Sequence, residues 1–309
     1  MLLNKPKFWD YKKSNLLSIL LMPFTMIIGI SNLINFLYYK KKLKIKTICV
    51  GNIYVGGTGK TPISIEIYKI LKKSKIKSVF IKKNRFSHSD EIKLLSKIGP
   101  IISLKSRINS IEDAQRKKFK CAIFDDGLQD KLLNYDFKIV CFDKKNFIGN
   151  GKLIPAGPLR ESLNSLKKYD IIFFNGLEEV EKNIISKVKK INNKLKIFET
   201  YPIIINKDKI KKQKKYLIFS GIGNPNSFKE LLERENFKIT KSITFPDHFN
   251  FSDLDISTIK NQAKLLKSKI LTTEKDYLRI KKKNRKGINF VKIRLKIYKE
   301  KKLIKLLKG

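Results

Sequence analysis

Short runs of hydrophobic residues alternate along most of the chain with longer segments in which apolar residues recur every three or four positions. Short apolar runs are typical of buried strands, and the three-to-four spacing is typical of amphipathic helices. Their alternation predicts an α/β fold with a parallel sheet wrapped by helices, because parallel neighbours are joined through helical crossovers. The first set of strand-like runs covers 46–52, 77–82, 100–104, 121–125, 137–142 and 170–174.

A lysine-rich segment, Lys207–Lys215, interrupts this alternation, and a second and smaller α/β pattern follows it. The strand-like runs of this second set lie near 216–220, 238–243, 269–272 and 288–294. Polar linkers between two patterned regions are typical of domain boundaries. The sequence therefore predicts a first domain over residues 41–206, a smaller α/β domain over 207–296, and a C-terminal helix over 297–309. We expect this last helix to pack back on the first domain.

Residues 1–40 carry a different pattern. From Ser14 to Tyr39 no residue is charged, and lysines flank this stretch on both sides. The stretch is longer than the about 20 residues that a helix needs to cross a bilayer. Polar side chains nevertheless recur near one helical stripe, at Ser14, Ser18, Thr25 and Asn32. The segment is therefore a membrane-surface or partly inserted helix, a full span, or a buried core helix. The flanking lysines favour the first, because they attract anionic headgroups.

A glycine-rich loop separates the first predicted strand from a helical pattern that begins near Pro62. In such loops the backbone N–H groups surround phosphate oxygens, a lysine reaches the β- and γ-phosphates, and a hydroxyl binds Mg²⁺. Tyr54 stands where the strict phosphate-loop pattern has its first glycine. The sequence still predicts an ATP-binding loop, with Thr61 as a magnesium ligand. The predicted nucleotide-binding residues are Gly56, Gly57, Thr58, Gly59, Lys60 and Thr61.

Two adjacent carboxylates, Asp125 and Asp126, end the strand-like run at 121–125. Ligands of open α/β sheets gather at the carboxyl ends of the strands, and a carboxylate there can hold Mg²⁺ directly or through water. A simple turn is the alternative, because Asp-Gly is a favoured turn pair. The sequence predicts that at least one of the two aspartates is a magnesium ligand.

The chain is strongly basic, with 69 Lys and Arg against 27 Asp and Glu and a formal net charge of +42. Such a charge favours a polyanionic partner: a nucleic acid, a nucleotide phosphate or an anionic membrane. The basic residues are spread over the whole chain, however, whereas a dedicated binding surface should be clustered. The three cysteines show no CxxC spacing, which argues against a disulfide framework and against a structural zinc site.

Five segments, in order, resemble the tetraacyldisaccharide 4'-kinase family, and the resemblance covers nearly the full chain. These segments are Gly51–Pro62, Asp125–Gln129, Gly149–Glu161, Phe245–Phe249 and Leu271–Asp276. The resemblance implies a P-loop domain joined to a smaller α/β domain, with the active site in the cleft between them. It implies transfer of the ATP γ-phosphate to the 4'-hydroxyl of an acylated glucosamine disaccharide 1-phosphate, in lipid A biosynthesis. It also implies that the reaction takes place at the cytosolic face of the bacterial inner membrane.

Site roles follow from the resemblance position by position. Lys60 and Arg160 match residues of the family's phosphate site, and the paired aspartates match its Mg²⁺ carboxylates. Asp90 matches the residue that looks like the catalytic base, and His248 matches the histidine thought to pair with it. A base is chemically sensible, since a sugar hydroxyl is poorly acidic. We therefore expect ATP and Mg²⁺ at the site, and the lipid substrate and an anionic membrane surface as partners, but no nucleic acid.

The sequence also departs from the family pattern. The family usually carries Ser-Arg-Gly-Tyr-Gly after the second strand, where this chain has Ile81–Phe86, and Asp130 replaces a common histidine. Ser89 and Ile92 replace the glycine and proline around the Asp-Glu pair. These changes leave open the alternative that the chain is a degenerate and inactive nucleotide-binding membrane protein. A partition-type ATPase that acts with DNA is a second alternative, but it leaves the Gly149–Glu161 segment unexplained.

Overall fold

A computed structural model describes residues 6–11, 15–27, 29, 44–84, 89–130 and 132–308 of the 309-residue chain. Contacts divide the chain into two compact units. The larger unit contains the described residues within Lys5–Asn84, Ile98–Tyr201 and Ile297–Gly309. The smaller unit contains those within Arg85–Lys97 and Pro202–Lys296.

Strands and helices alternate along both units, as the hydrophobic pattern predicts. The strands are β1 (Lys46–Gly51), β2 (Ser78–Ile81), β3 (Ile101–Ile102), β4 (Cys121–Asp125), β5 (Phe137–Asp143), β6 (Ile171–Asn175), β7 (Lys196–Ile204), β8 (Lys215–Ser220), β9 (Lys238–Thr244), β10 (Lys269–Thr273), β11 (Ile288–Val291) and β12 (Ile293–Ile297). The α-helices are α1 (Leu16–Leu20), α2 (Lys60–Lys73), α3 (Ser89–Ser96), α4 (Arg107–Arg116), α5 (Lys182–Ile191), α6 (Pro225–Arg234), α7 (Asp253–Leu265), α8 (Glu274–Arg279) and α9 (Glu300–Lys308).

In the part of the chain that the structure describes, the larger sheet has eight strands in the order β12-β7-β6-β5-β1-β4-β2-β3. The neighbouring pairs from β7 to β3 are parallel. Strand β1 therefore lies inside the sheet, between β4 and β5, and the carboxyl ends of all three meet at one edge. This edge positions the phosphate loop and the paired aspartates.

Two apolar clusters stabilise the larger sheet. Alternate residues of neighbouring strands point to the same face, and Val140 and Phe142 of β5 pack in one cluster with Val188 of α5. Phe124 of β4 packs in the other cluster with Ile111 of α4. Helices therefore cover apolar strand faces, and the α/β class with a large parallel sheet is confirmed.

The smaller unit has a four-stranded parallel sheet, in the order β11-β10-β8-β9, within the described residues. Its core joins Leu217 and Phe219 of β8 to Ile256 and Ile259 of α7. Helix α3 belongs to this unit and packs on α8. The predicted domains differ here, because they placed the α3 segment in the 41–206 domain by sequence order alone. The unit boundary after Tyr201 also precedes the predicted boundary at 206.

The N-terminal segment is described in part. Helix α1 covers Leu16–Leu20, and its Ser18 is buried, where its hydroxyl donates to the Ala156 carbonyl at 2.8 Å. Trp9 Nε1 donates to the neighbouring Pro155 carbonyl at 2.9 Å. Among the described residues, no helix has the length and apolar character to span a bilayer. Residues 14, 28 and 30–39 of the uncharged Ser14–Tyr39 stretch lie outside the described residues, so the membrane association of the predicted helix stays a prediction.

Candidate active site

The glycine-rich loop connects the end of β1 to the start of α2. Gly59 caps α2 in a left-handed conformation, with φ of 82°. A Cβ at this position would lie 2.6 Å from Nδ2 of Asn175, which donates to the Thr58 carbonyl. The backbone conformation and the close approach both require glycine at position 59. The loop is thus held against the end of β6, and its N–H groups lie at a helix N-terminus that favours anions.

Asn52 holds the loop through hydrogen bonds of its side chain. It is fully buried, and its Nδ2 donates to Thr58 Oγ1 at 3.0 Å and to the Gly56 carbonyl at 3.3 Å. Its Oδ1 accepts from Lys60 Nζ at 3.2 Å. The sequence prediction did not assign Asn52 a role. A polar residue directly after an apolar strand and before the glycines was the available signal.

Asp125, at the end of β4, is buried beside the first turn of α2. One of its oxygens, Oδ2, accepts from Thr61 Oγ1 at 2.9 Å and from Lys82 Nζ at 2.6 Å. The other oxygen accepts from Ser64 Oγ at 3.2 Å. Asp126 follows with φ of 66°, and its carboxylate lies 3.7 Å from Lys60 Nζ and 3.4 Å from Arg160 Nη1.

The segment around Arg160 is joined to the loop through the backbone. Arg160 N donates to the Ile53 carbonyl at 2.7 Å, and Val55 N donates to the Pro158 carbonyl at 2.8 Å. Gln129 links the two segments further, since its Nε2 donates to the Asn52 carbonyl at 3.0 Å and to Glu161 Oε1 at 2.9 Å. Five of the predicted side chains of this unit therefore meet in one cluster, formed by Lys60, Thr61, Asp125, Asp126 and Arg160.

The oxygen atoms of this cluster fit a hard cation. No group of three or more His, Cys, Asp or Glu side chains in the described ranges is arranged to hold a metal by itself. Thr61, Asp125 and Asp126 instead offer one hydroxyl and two carboxylates near the loop. Magnesium usually takes one or two carboxylates and completes its shell with water and phosphate oxygens. The donor set therefore suits Mg²⁺ that arrives with a nucleotide.

A second polar cluster lies in the smaller unit, on the first turn of α3. Asp90 is buried, and its Oδ1 lies 3.4 Å from His248 Nδ1. Its Oδ2 accepts two hydrogen bonds from Arg279, at 3.0 Å from Nε and 2.6 Å from Nη2. Lys275 Nζ lies 3.6 Å from Asp90 and 3.1 Å from Glu91. The helices α3 and α8 supply most of these groups.

These partners decide the ionisation of Asp90. Burial raises the pKa of this carboxyl, but the hydrogen bond from His248 and the charges of Lys275 and Arg279 outweigh burial. The pKa of Asp90 therefore lies well below its usual range, and the group is ionised at neutral pH. Asp276 differs: burial raises its pKa, although Arg279 Nη1 donates to it at 2.9 Å.

The structure thus brings Asp90 and His248 together, as the resemblance implies. The sequence prediction missed Arg279, which joins Asp90 to Asp276. Its spacing was the available signal, because Asp276 and Arg279 lie three positions apart on one short helix. His88, in the divergent segment, lies outside the described residues.

The model of the tetraacyldisaccharide-1-P 4'-kinase (LpxK) family matches residues 17–309 of the chain. The chain belongs to this family. Tetraacyldisaccharide 4'-kinase of Pelagibacter ubique is 47% identical over 310 residues, which cover 99% of each chain. The corresponding protein of Rickettsia typhi is 34% identical and covers 92% of this chain and 91% of its own length. A crystal structure of LpxK from Aquifex aeolicus in complex with ATP matches with a TM-score of 0.71 at 25% identity, over 95% of this chain and 99% of that one.

Proposed function

We propose that this chain is the kinase that transfers the γ-phosphate of ATP to the 4'-hydroxyl of the tetraacyldisaccharide 1-phosphate, in lipid A biosynthesis. The observation that carries this proposal is the assembled cluster of Lys60, Thr61, Asp125 and Asp126 at the loop, in a chain that matches the LpxK family over nearly its whole length. We would not expect a degenerate and inactive chain to retain this arrangement of side chains.

The larger unit binds the nucleotide in this proposal. Gly56, Gly57, Thr58 and Gly59 present backbone N–H groups to the phosphates, while Lys60 and Arg160 neutralise phosphate charge. Fixed cations of this kind stabilise the charge that develops during phosphoryl transfer. Thr61, Asp125 and Asp126 would hold Mg²⁺, which supplies further neutralisation of the phosphate oxygens when it is bound.

The smaller unit provides the proton acceptor. Asp90 is ionised, Arg279 engages its Oδ2, and its Oδ1 lies beside His248. We assign Oδ1 to the acceptor hydroxyl. The hydroxyl oxygen attacks the γ-phosphorus, and the bond from this phosphorus to the ADP oxygen breaks. The hydroxyl proton passes to the Asp90 carboxylate, with His248 orienting the carboxylate.

We further propose that α1 holds the enzyme on the cytosolic face of the inner membrane. Ser18 faces the protein, whereas its apolar neighbours Leu16, Leu17 and Leu20 are exposed. This orientation is the reverse of an ordinary surface helix, and exposed apolar helix faces are typical of membrane-surface binding. The high positive charge supports attraction to anionic lipid.

Incubation of the purified protein with γ-labelled ATP, Mg²⁺ and the disaccharide in detergent tests the activity directly. We expect labelled lipid from the wild type, and none from Lys60→Ala or Asp90→Ala proteins that remain folded by circular dichroism. ATP hydrolysis that DNA stimulates, without a lipid product, would instead support the partition-type alternative. Normal turnover by either variant would contradict the role assigned to that residue.

A further inference from the structure

Lys82, directly after β2, is a buried lysine within the larger unit. It is 2% exposed, and its Nζ lies 2.6 Å from Oδ2 of Asp125, whose side chain is also buried. Lysine is rarely buried to this extent without a partner of opposite charge. Lys82 lies in the segment in which this chain departs from its family, and the sequence prediction gave it no role.

The ion pair is part of the phosphate-loop cluster. The oxygen that Lys82 contacts also accepts from Thr61 Oγ1 at 2.9 Å, and the second oxygen accepts from Ser64 Oγ. Asp125 is therefore fixed between the end of β2 and the first turns of α2. The Lys82 ammonium group and the Thr61 hydroxyl, which we propose binds Mg²⁺, therefore contact the same carboxylate oxygen.

Without a metal, each of the two carboxylates of the cluster already lies beside a cationic side chain. Asp126 lies between Lys60 and Arg160, and Asp125 is paired with Lys82. Without Lys82, the buried carboxylate of Asp125 would add an uncompensated negative charge beside a site for phosphates. In a buried environment of low dielectric constant such a charge strongly repels the nucleotide.

We propose that Lys82 neutralises the Asp125 carboxylate at the phosphate loop, so that the loop binds nucleotide phosphates with an affinity that depends little on Mg²⁺. The proposal rests on the nucleotide binding proposed above and assigns Lys82 a positioning role. Lys82 compensates Asp125 before the metal arrives, and it keeps this carboxylate against Thr61.

The test compares the dissociation constant of a fluorescent, nonhydrolysable ATP analogue in EDTA with its value in saturating Mg²⁺, at pH 8. For Lys82→Gln, which keeps a hydrogen-bond donor and removes the charge, we expect affinity in EDTA to fall about tenfold or more. Affinity in Mg²⁺ should change much less, so the ratio of the two constants rises. Lys82→Arg should restore the wild-type ratio. Lys83→Gln removes the same charge from the neighbouring residue and should leave the ratio unchanged.

Folding of each variant is checked by circular dichroism and thermal unfolding. An unchanged ratio in a folded Lys82→Gln protein would overturn the inference and leave the proposed function intact. If Lys82→Gln does not fold, the wild-type protein tests the inference by itself. We expect its affinities for the analogue in EDTA and in Mg²⁺ to agree within about tenfold. Binding only in Mg²⁺ would overturn the inference. A wild type that binds no analogue in either buffer would overturn the proposed function as well.

Discussion

Arg279 donates two hydrogen bonds to the same oxygen of Asp90, at 3.0 Å and 2.6 Å, while the other oxygen of Asp90 faces His248. The two oxygens of the proposed base therefore have different surroundings. Both Asp90 and Arg279 are nearly inaccessible to solvent, with exposed side-chain fractions of 5% and 4%. Such a buried pair fixes the orientation of the carboxylate as well as its charge.

Replacement of Arg279 should move the pH profile of the enzyme. The pKa of Asp90 is lowered in the wild type, and Arg279→Ala removes one of the charges that lower it. Since fewer positive charges then offset the effect of burial, the pKa of Asp90 rises. As the solution is acidified, activity that requires the ionised carboxylate is therefore lost at a higher pH than in the wild type. Because Arg279 also fixes the orientation of this carboxylate, we expect kcat at neutral pH to fall by about a hundredfold.

The measurement is kcat/KM against pH for the wild type, Arg279→Ala and Arg279→Lys. The lysine variant keeps the charge and should retain more of the wild-type profile. Arg234→Ala, at an exposed position of α6, is the matched control. A uniform loss of activity, with the acid limb in its wild-type position, would show that Arg279 does not tune Asp90.

His248 should affect turnover without affecting nucleotide affinity. It lies in the smaller unit beside Asp90, whereas the phosphate-binding residues belong to the larger unit. His248 has φ of 59°, a conformation that Asn adopts more readily than most residues, so His248→Asn removes the imidazole with little backbone strain. We expect kcat to fall about a hundredfold and ATP affinity, measured by calorimetry, to stay unchanged. A parallel loss of ATP affinity would contradict this separation of roles.

Gly59→Ala should abolish ATP binding. The added Cβ meets Asn175 Nδ2 at 2.6 Å, and the left-handed conformation adds strain of about 1–2 kcal/mol. Gly287 offers a matched control, because it has nearly the same φ, 81°, and nothing lies within 4 Å of its Cβ position. Both variants should lose stability in thermal unfolding, but only Gly59→Ala should fail in equilibrium dialysis with ATP. Equal nucleotide binding by the two variants would show that the loop tolerates a side chain.

The sequence predicts the strands and the loop cluster well, because their signals are local. Apolar runs identify β1 to β6, and Lys60, Thr61, Asp125 and Asp126 come from two short motifs. Strand β7 was missed, since its half-buried residues and Pro202 interrupt the apolar pattern. The prediction also joined residues 288–294 into one strand, where the structure has β11 and β12.

The missed site residues have a different cause. Lys82 and Arg279 act through partners 43 and 189 positions away in the chain. Lys82 belongs to no motif, and an isolated lysine in a lysine-rich sequence carries almost no information. For Arg279 the local signal is its spacing from Asp276, which does not reveal Asp90 as a partner. Helix α3 illustrates the same limit, since its unit is decided by packing on α8 and not by its place in sequence order.

Membrane binding should depend on the exposed apolar residues of α1. Leu17 and Leu20 are 57% and 61% exposed, and they make no contribution to the core that would be lost on substitution. Full burial of a leucine side chain away from water is worth about 1.5–3 kcal/mol. We therefore expect Leu17→Ser/Leu20→Ser to shift the protein away from anionic vesicles in flotation, with an unchanged thermal midpoint.

The matched control is Leu254→Ser/Leu265→Ser, which removes two leucines that are 76% and 83% exposed on α7. Because these residues lie on a helix of the smaller unit and not on α1, the control should float like the wild type. Ser18→Ala gives a second comparison: it breaks the hydrogen bond to Ala156 while the apolar face stays intact. It should lower the thermal midpoint and preserve flotation. If the α1 and α7 variants float equally well, the apolar face of α1 is not the membrane anchor.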